Sequence, residues 1–196
     1  MIDDFDKKSE NLRILVYQAL KLYETKPLLN LLFDDHIIIR TAVARELQIR
    51  GERMIFNFVK KHLNSKKENE REICVFTLGQ LGTPEKPFKA QSLPLLLPLL
   101  KDRSTDVRSA TASSLGHLCT DGMPEHVEQA LVKAAKDKSS EVRECIGCAL
   151  GSSSGSPEAL QALKDLSMDT HKEVRGWAKV GLKLLKERKG PKKKTF

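Results

Sequence analysis

Hydrophobic and polar positions follow a helical pattern along this chain, and the pattern itself recurs. In four of five copies an arginine directly follows an aliphatic residue, and the remaining copy has Glu70 in that place. The arginines are Arg40, Arg71, Arg108, Arg143 and Arg175, at intervals of 31, 37, 35 and 32 residues. Self-similarity at such a period is typical of solenoids, whose units bury their apolar faces by stacking on their neighbours. The pattern predicts an all-α chain of about five stacked units.

Each unit is predicted to hold two helices. In the downstream helix of one copy, Val107, Leu115 and Leu118 recur at the spacing of a single helix face. A second apolar helix lies upstream in each unit, as in LPLLLPLL and VEQALVKAA. The longest interruption is GTPEKPFKAQSL, residues 82–93, which accounts for the interval of 37 residues.

The ends of the chain are expected to differ from its middle. We predict an N-terminal capping helix in residues 1–26, a repeat solenoid in residues 27–187 and a basic disordered tail in residues 188–196. The formal net charge is +8, of which the last eleven residues contribute +5. An acidic start, MIDDFDKK, and the lack of a long apolar run predict a cytoplasmic protein without membrane insertion.

The residues that recur in every unit resemble a known repeat. An Asp five residues before the aliphatic position, an Arg directly after that position and a small-residue helix ending in SLG or ALG are similar to the HEAT-repeat superfamily in its short bacterial form. That form includes the repeats of bilin-lyase subunits. The resemblance covers about residues 27–186 and implies a right-handed α-solenoid of about five HEAT-like repeats. The second unit departs from the pattern, with Ser65 in the Asp position and Glu70 in the aliphatic position.

The recurring Asp and Arg residues are interpreted as structural rather than catalytic. A catalytic group is needed once per site, whereas these residues return along the chain, and the resemblance implies that they form a ladder in the turns. A carboxylate at a helix start accepts backbone N–H groups, and an Arg can pair with it bidentately across the stack. The predicted ladder comprises Asp34, Arg40, Asp102, Arg108, Asp137, Arg143, Asp169 and Arg175.

In the resembling family the downstream helices line the concave face. We expect their solvent-facing side chains at +2, +5, +6 and +9 from the aliphatic position, with a register one residue away as the alternative. The predicted partner-binding surface comprises Arg45, Glu72, Phe76, Ser109, Ala112, Ser113, Glu144, Cys148, Lys179 and Lys183. Its small central residues either leave room for a partner or let adjacent helices pack closely. Trp177, at +3, is interpreted as core filling in preference to a binding anchor.

This predicted surface carries no catalytic chemistry. It has no His, Asp or Tyr, and therefore no general base beside a nucleophile and no metal cluster. Cys145 and Cys148 form a CxxC within a helix, where reduced thiols are expected. We therefore predict no enzyme activity, no cofactor and no metal.

The function class that these features favour is a protein-interaction scaffold or adaptor whose partner is another protein. A bacterial immunity protein that neutralises a toxin is a specific variant. The alternative is a nucleic-acid-binding protein similar to HEAT-like DNA glycosylases, which a predicted surface charge of only +1 does not favour. A bilin-lyase-type subunit is a second alternative, suggested by the repeat resemblance alone.

Overall fold

The computed structural model describes residues 14–189, and within them every regular element is helical. The chain divides into two compact units, one ending at Phe88 and the other beginning at Lys89. The division falls inside GTPEKPFKAQSL, the longest interruption of the repeat pattern. Among the described helices, none is both long enough and apolar enough to cross a membrane.

The first unit contains five helices in its described part. They are α1 (residues 14–20), α2 (Thr25–Leu31), α3 (Ile37–Arg50), α4 (Arg53–His62) and α5 (Glu68–Gly79). Helix α3 packs on α2 and α5, and α4 packs on α5. Their apolar stripes meet in a core whose fully buried members include Leu28, Leu47, Ile55 and Leu78.

The second unit contains six α-helices and two short 3₁₀ segments within residues 89–189. The α-helices are α6 (Lys89–Leu96), α7 (Thr105–Leu118), α8 (Glu125–Ala134), α9 (Ser140–Ala149), α10 (Pro157–Leu166) and α11 (Lys172–Lys189). The 3₁₀ segments, Leu97–Lys101 and Leu150–Ser152, directly follow α6 and α9. The downstream helices α7, α9 and α11 stack in that order, and α8 packs on both α9 and α10.

The helices form the five upstream and downstream pairs that the sequence predicts. The pairs are α2 with α3, α4 with α5, α6 with α7, α8 with α9, and α10 with α11. Helix α11 ends at Lys189, two residues into the predicted tail, and the rest of that tail lies outside the described residues. Residues 1–13 of the predicted capping helix also lie outside them, so the boundaries of the two end segments stay predictions.

Candidate partner-binding surface

The recurring arginines of the second unit join consecutive repeats. Arg108 donates from Nε and Nη2 to the two carboxylate oxygens of Asp137, at 2.8 and 3.0 Å. Arg143 does the same to Asp169, at 2.7 and 3.0 Å. Two parallel hydrogen bonds fix the orientation as well as the distance of the partners. Each arginine thus fastens its own repeat to the one that follows.

The remaining edge of each guanidinium closes a turn within its own repeat. Nη1 donates to the carbonyl oxygen at the Asp position in all five repeats, at 2.8 to 3.0 Å. The Asp carboxylates in turn accept the backbone N–H two residues on, as Asp137 does from Ser139 at 2.8 Å. The same contacts are made in repeat after repeat, which is the behaviour of a structural element rather than of a catalytic site.

The first unit joins its two repeats without such an ion pair. Ser65 replaces the aspartate, and its hydroxyl donates to Glu70 at 2.6 Å, so the two residues that depart from the repeat pattern are hydrogen-bonded to each other. Arg40 donates to backbone carbonyls, among them that of Asp34 at 2.9 Å. The joint includes the Gln48 side-chain amide, which donates to the carbonyl oxygen of Phe76 at 2.5 Å. Neither group of that hydrogen bond is titratable.

The paired aspartates of the second unit are stabilised in their charged form. The Arg143 guanidinium lowers the pKa of Asp169 to about 2, against a smaller opposing effect of burial. At Asp137, burial opposes ionisation, yet the hydrogen bonds from Arg108 and from the Ser139 N–H hold the pKa below its usual range. The joints of this unit therefore depend on ionised carboxylates.

The exposed stripe of the downstream helices lies at +2, +6 and +10, so two of the four predicted positions, +2 and +6, are confirmed, whereas +9 is exposed only in α11. The three positions of the stripe are at least partly exposed in all five helices, whereas +5 is buried in the first four. At about 100° per residue, the exposed stripe is rotated by about 50° around the helix axis from the predicted set. Ala112, at +5 in α7, is fully buried and drops out of the surface.

Close packing between downstream helices accounts for this rotation. A Cβ built on Gly116, at +9 in α7, would lie 2.9 Å from the Cα of Ala149 in α9. A Cβ on Gly147, at +5 in α9, would lie 3.1 Å from the backbone nitrogen of Ala178 in α11. Small residues at +5 and +9 therefore let neighbouring helices approach, which was the alternative left open for them.

Trp177 is exposed and does not fill the core, contrary to the prediction. Its exposed fraction is 42%, and Val180 and Leu184 on the same helix are exposed by 41% and 39%. They occupy +3, +6 and +10, which lie within about 60° of one another around α11. The equivalents of Trp177 in the second unit, Ala110 and Cys145, are also partly exposed. Because the equivalent residues are small, the sequence did not show that position +3 lies beside the exposed stripe in this unit.

The other predicted residues of the second unit lie on α7, α9 and α11. Ser109, Ser113, Glu144 and Cys148 are partly exposed on α7 and α9. Lys179 and Lys183 are exposed on α11. We call the exposed side chains of α7, α9 and α11 at +2, +3, +6 and +10 the downstream-helix face.

This face offers no activated nucleophile. Burial raises the pKa of the Cys145 and Cys148 thiols, which keeps them protonated and poorly nucleophilic. Among residues 14–189, no group of three or more His, Cys, Asp or Glu side chains could hold a metal ion.

Three predicted surface residues belong to the first unit. Arg45 is exposed, and its Nη1 donates to the hydroxyl of Tyr17 at 3.2 Å. The two also line a pocket of about 250 Å³ together with Thr41. Glu72 and Phe76 are partly exposed on α5.

Known proteins share this architecture. The family described as HEAT repeats matches residues 93–183. Protein YibA of Escherichia coli strain K12 is 27% identical over 189 residues, which make up 95% of this chain and 67% of YibA. The X-ray structure of YibA matches with a TM-score of 0.74 at 24% identity. That match covers 90% of this chain and 63% of the solved one, so the chain spans less than two thirds of the YibA structure.

Two further solved structures share the fold at lower identity. One is the complex of CpcE and CpcF of phycocyanin lyase from Nostoc, with a TM-score of 0.65 and 16% identity over 81% of this chain and 97% of that one. The other is a designed armadillo repeat protein in complex with the peptide (KR)4, with a TM-score of 0.56 and 21% identity over 81% of this chain and 80% of that one. The predicted α-solenoid class is confirmed, and so is the chain's resemblance to the HEAT-repeat superfamily, whose family model matches residues 93–183.

Proposed function

We propose that this chain is a non-enzymatic scaffold that binds another protein on the downstream-helix face of its second unit. The observation that carries the proposal is the exposed apolar group Trp177, Val180 and Leu184 on α11. Binding hot spots are enriched in Trp, and exposed apolar clusters mark interaction sites more often than scattered apolar residues do. Trp177 is the central anchor of the proposed interface.

The surroundings of this anchor suit a protein better than a nucleic acid. Ser113 and Cys148 are small, so a partner side chain can approach the backbone of α7 and α9. The charged groups beside them have both signs, with Glu144 on α9 and Lys179 and Lys183 on α11. A surface that follows a phosphate backbone presents several basic residues along its length. Mixed charge around an apolar centre is instead the usual composition of a protein interface.

Related folds support the general class and leave the partner open. Two of the solved structures with this fold are complexes, one with a designed peptide and one between CpcE and CpcF. At 16% identity the second likeness concerns the fold alone, so the bilin-lyase alternative gains no binding site from it. Neutralisation of a toxin remains a specific variant of the scaffold proposal, and a toxin gene beside this one would support it. The cytoplasmic location also stays a prediction.

Replacing Trp177 with serine tests the proposal. We expect the affinity for the partner to fall by at least about 30-fold, because a buried interface Trp contributes about 2 kcal/mol or more. The full-length tagged chain would be expressed in its source cells, and proteins that co-purify with it would be quantified by mass spectrometry. Cys148→Arg, which adds a long charged side chain on α9, the helix that packs against α11, should cause a similar loss.

The matched control is Met168→Ser. Met168 is 83% exposed, yet it lies in the turn between α10 and α11, away from the proposed face. A partner recovered with the unsubstituted chain and with Met168→Ser, but lost with Trp177→Ser, would support the proposed face. Equal recovery with all variants would exclude it.

A further inference from the structure

A groove of about 770 Å³ lies between the upstream helices of two consecutive repeats in the second unit. One wall is α6 with the 3₁₀ segment Leu97–Lys101, and the other is α8 with the turn that follows it. We propose that this α6–α8 groove binds an acidic, apolar peptide segment of a partner protein. The groove is lined by upstream helices, so this site is separate from the downstream-helix face.

The apolar floor of the groove follows from the segment SLPLLLPLL. Pro94 lies inside α6, where it lacks the N–H that would continue the helix, and the chain changes to 3₁₀ geometry at Leu97. Pro94, Leu97 and Pro98 then line the groove at least partly exposed. On α8 the groove is lined by the small residues Ala130 and Ala134, which leave space between the helices, together with the larger His126 and Gln129.

The rim of the groove carries positive charge at one end. Lys101, Lys133 and Lys136 are exposed there, where the 3₁₀ segment and α8 end. Within residues 14–189, none of these three ammonium groups forms an ion pair. The only carboxylate that lines the groove is Asp137, and both of its oxygens accept hydrogen bonds from Arg108. The charge that the rim offers to an occupant is therefore +3.

The positive charge of the α6–α8 groove is not a general property of grooves between upstream helices in this unit. Between α8 and α10 lies a smaller groove of about 370 Å³, lined by Lys136 but also by Glu158 and Asp165. Its net charge is therefore negative, even though two equivalent helices form its walls. The same repeat architecture thus produces one basic and one acidic groove, according to the side chains on the upstream helices.

Charge and shape together define the occupant. Three unpaired lysines favour carboxylates, whereas a floor of proline, leucine and alanine favours apolar side chains over a hydrated phosphate backbone. The walls between Pro94 and Lys101 extend over roughly 12 Å, which an extended peptide covers with about four residues. A matching segment has two or three apolar residues followed by Asp or Glu at the lysine end.

Binding of defined peptides to the full-length chain tests this proposal. Three fluorescein-labelled peptides of equal length would be compared by fluorescence anisotropy: one of leucines followed by glutamates, one of leucines followed by lysines, and one of serines followed by glutamates. We expect saturable binding of the first peptide only. The double variant Lys133→Glu with Lys136→Glu should weaken that binding by about tenfold or more, because it reverses two rim charges.

Two controls separate this site from other effects. Lys164 is exposed on α10 and lies outside the groove, so the charge reversal Lys164→Glu should leave the affinity unchanged. Trp177→Ser should also leave it unchanged, so that failure of the groove and failure of the downstream-helix face can be told apart. Ala130→Gln, which fills the floor without altering charge, should weaken binding as well.

Three outcomes would overturn the proposal. The first is equal binding of the acidic and basic leucine peptides, and the second is an affinity that does not change with the double lysine variant. The third is salt-sensitive binding of a DNA or RNA duplex at these lysines while the acidic peptide fails to bind, which would assign the rim to nucleic acid.

Discussion

Replacing Gly181 with alanine is expected to lower the free energy of unfolding by about 2 to 3 kcal/mol, although alanine is the better helix former. Gly181 lies where α11 crosses α9. A Cβ there would collide with the carbonyl oxygen of Gly147 and would lie 2.9 Å from Cδ2 of Leu163. A backbone carbonyl cannot rotate away as a side chain does, so α9 and α11 must separate. Urea unfolding followed by circular dichroism would measure the change.

The same helix provides the matched control. Gly176 lies five residues earlier in α11, and a Cβ there would have no atom within 4 Å. Gly176→Ala should therefore stabilise the protein by about 1 kcal/mol through helix propensity alone. One substitution at two sites of one helix thus has opposite expected signs. Stabilisation by both variants would show that α9 and α11 do not approach each other as closely as described.

Replacing Asp169 with asparagine is expected to lower the free energy of unfolding at pH 7 by about 2 kcal/mol. The variant keeps the shape of the side chain but removes the charge that the Arg143 guanidinium contacts at 2.7 and 3.0 Å. Only 11% of the Asp169 side chain and 15% of the Arg143 side chain are exposed, so water compensates little for the lost partner. Chemical denaturation of both proteins would give the difference.

The size of this difference should depend on pH in a defined direction. Because the pKa of Asp169 is lowered to about 2 in the folded chain, its stabilisation is present above the pKa of an unfolded aspartate, near pH 4. It is lost as the pH falls from about 4 towards 2. The advantage of the unsubstituted chain over Asp169→Asn should shrink across this window.

An exposed aspartate is the control for this experiment. The carboxylate of Asp106, in the first turn of α7, has no hydrogen-bond or ion-pair partner among residues 14–189. Asp106→Asn should change the unfolding free energy by about 0.5 kcal/mol or less. An Asp169→Asn effect that is equally small, or that does not vary between pH 5 and pH 2, would contradict the role of the ion pair.

The sequence was sufficient to predict the repeat and the ion-paired joints of the second unit, because the same residues recur in those copies, but it did not predict the Gln48–Phe76 joint of the first unit. Arg108, which follows Val107, and Arg143, which follows Val142, occupy equivalent positions in their helices. Each pairs with the aspartate of the next repeat. Asp137 and Asp169 each lie six residues before the recurring arginine of their own repeat, so the sequence alone was enough to locate them. Where consecutive repeats make the same contact, the same residues recur at the same places.

The face of the downstream helices was harder to predict because its orientation depends on neighbouring helices. Ala112 and Ser113 are adjacent small residues, and their size and type do not distinguish a buried position from an exposed one. In the structure Ala112 is buried and Ser113 is partly exposed. Trp177 was assigned to the core because its equivalents in other repeats are small or apolar. Its exposure matches that of Ala110 and Cys145 at +3 in α7 and α9, which are also partly exposed.

The difference between the two kinds of repeat joint has a consequence for the behaviour of the chain in acid. The Gln48–Phe76 hydrogen bond of the first unit contains no titratable group, whereas the joints of the second unit rely on the carboxylates of Asp137 and Asp169. Acidification weakens the second unit more than the first, because the pKa values of Asp137, Asp169 and Glu128 are lowered there, against that of Glu70 among the described residues of the first unit. We expect its amide protons to exchange with solvent sooner at low pH, and unfolding to lose its all-or-none character as a half-folded species accumulates.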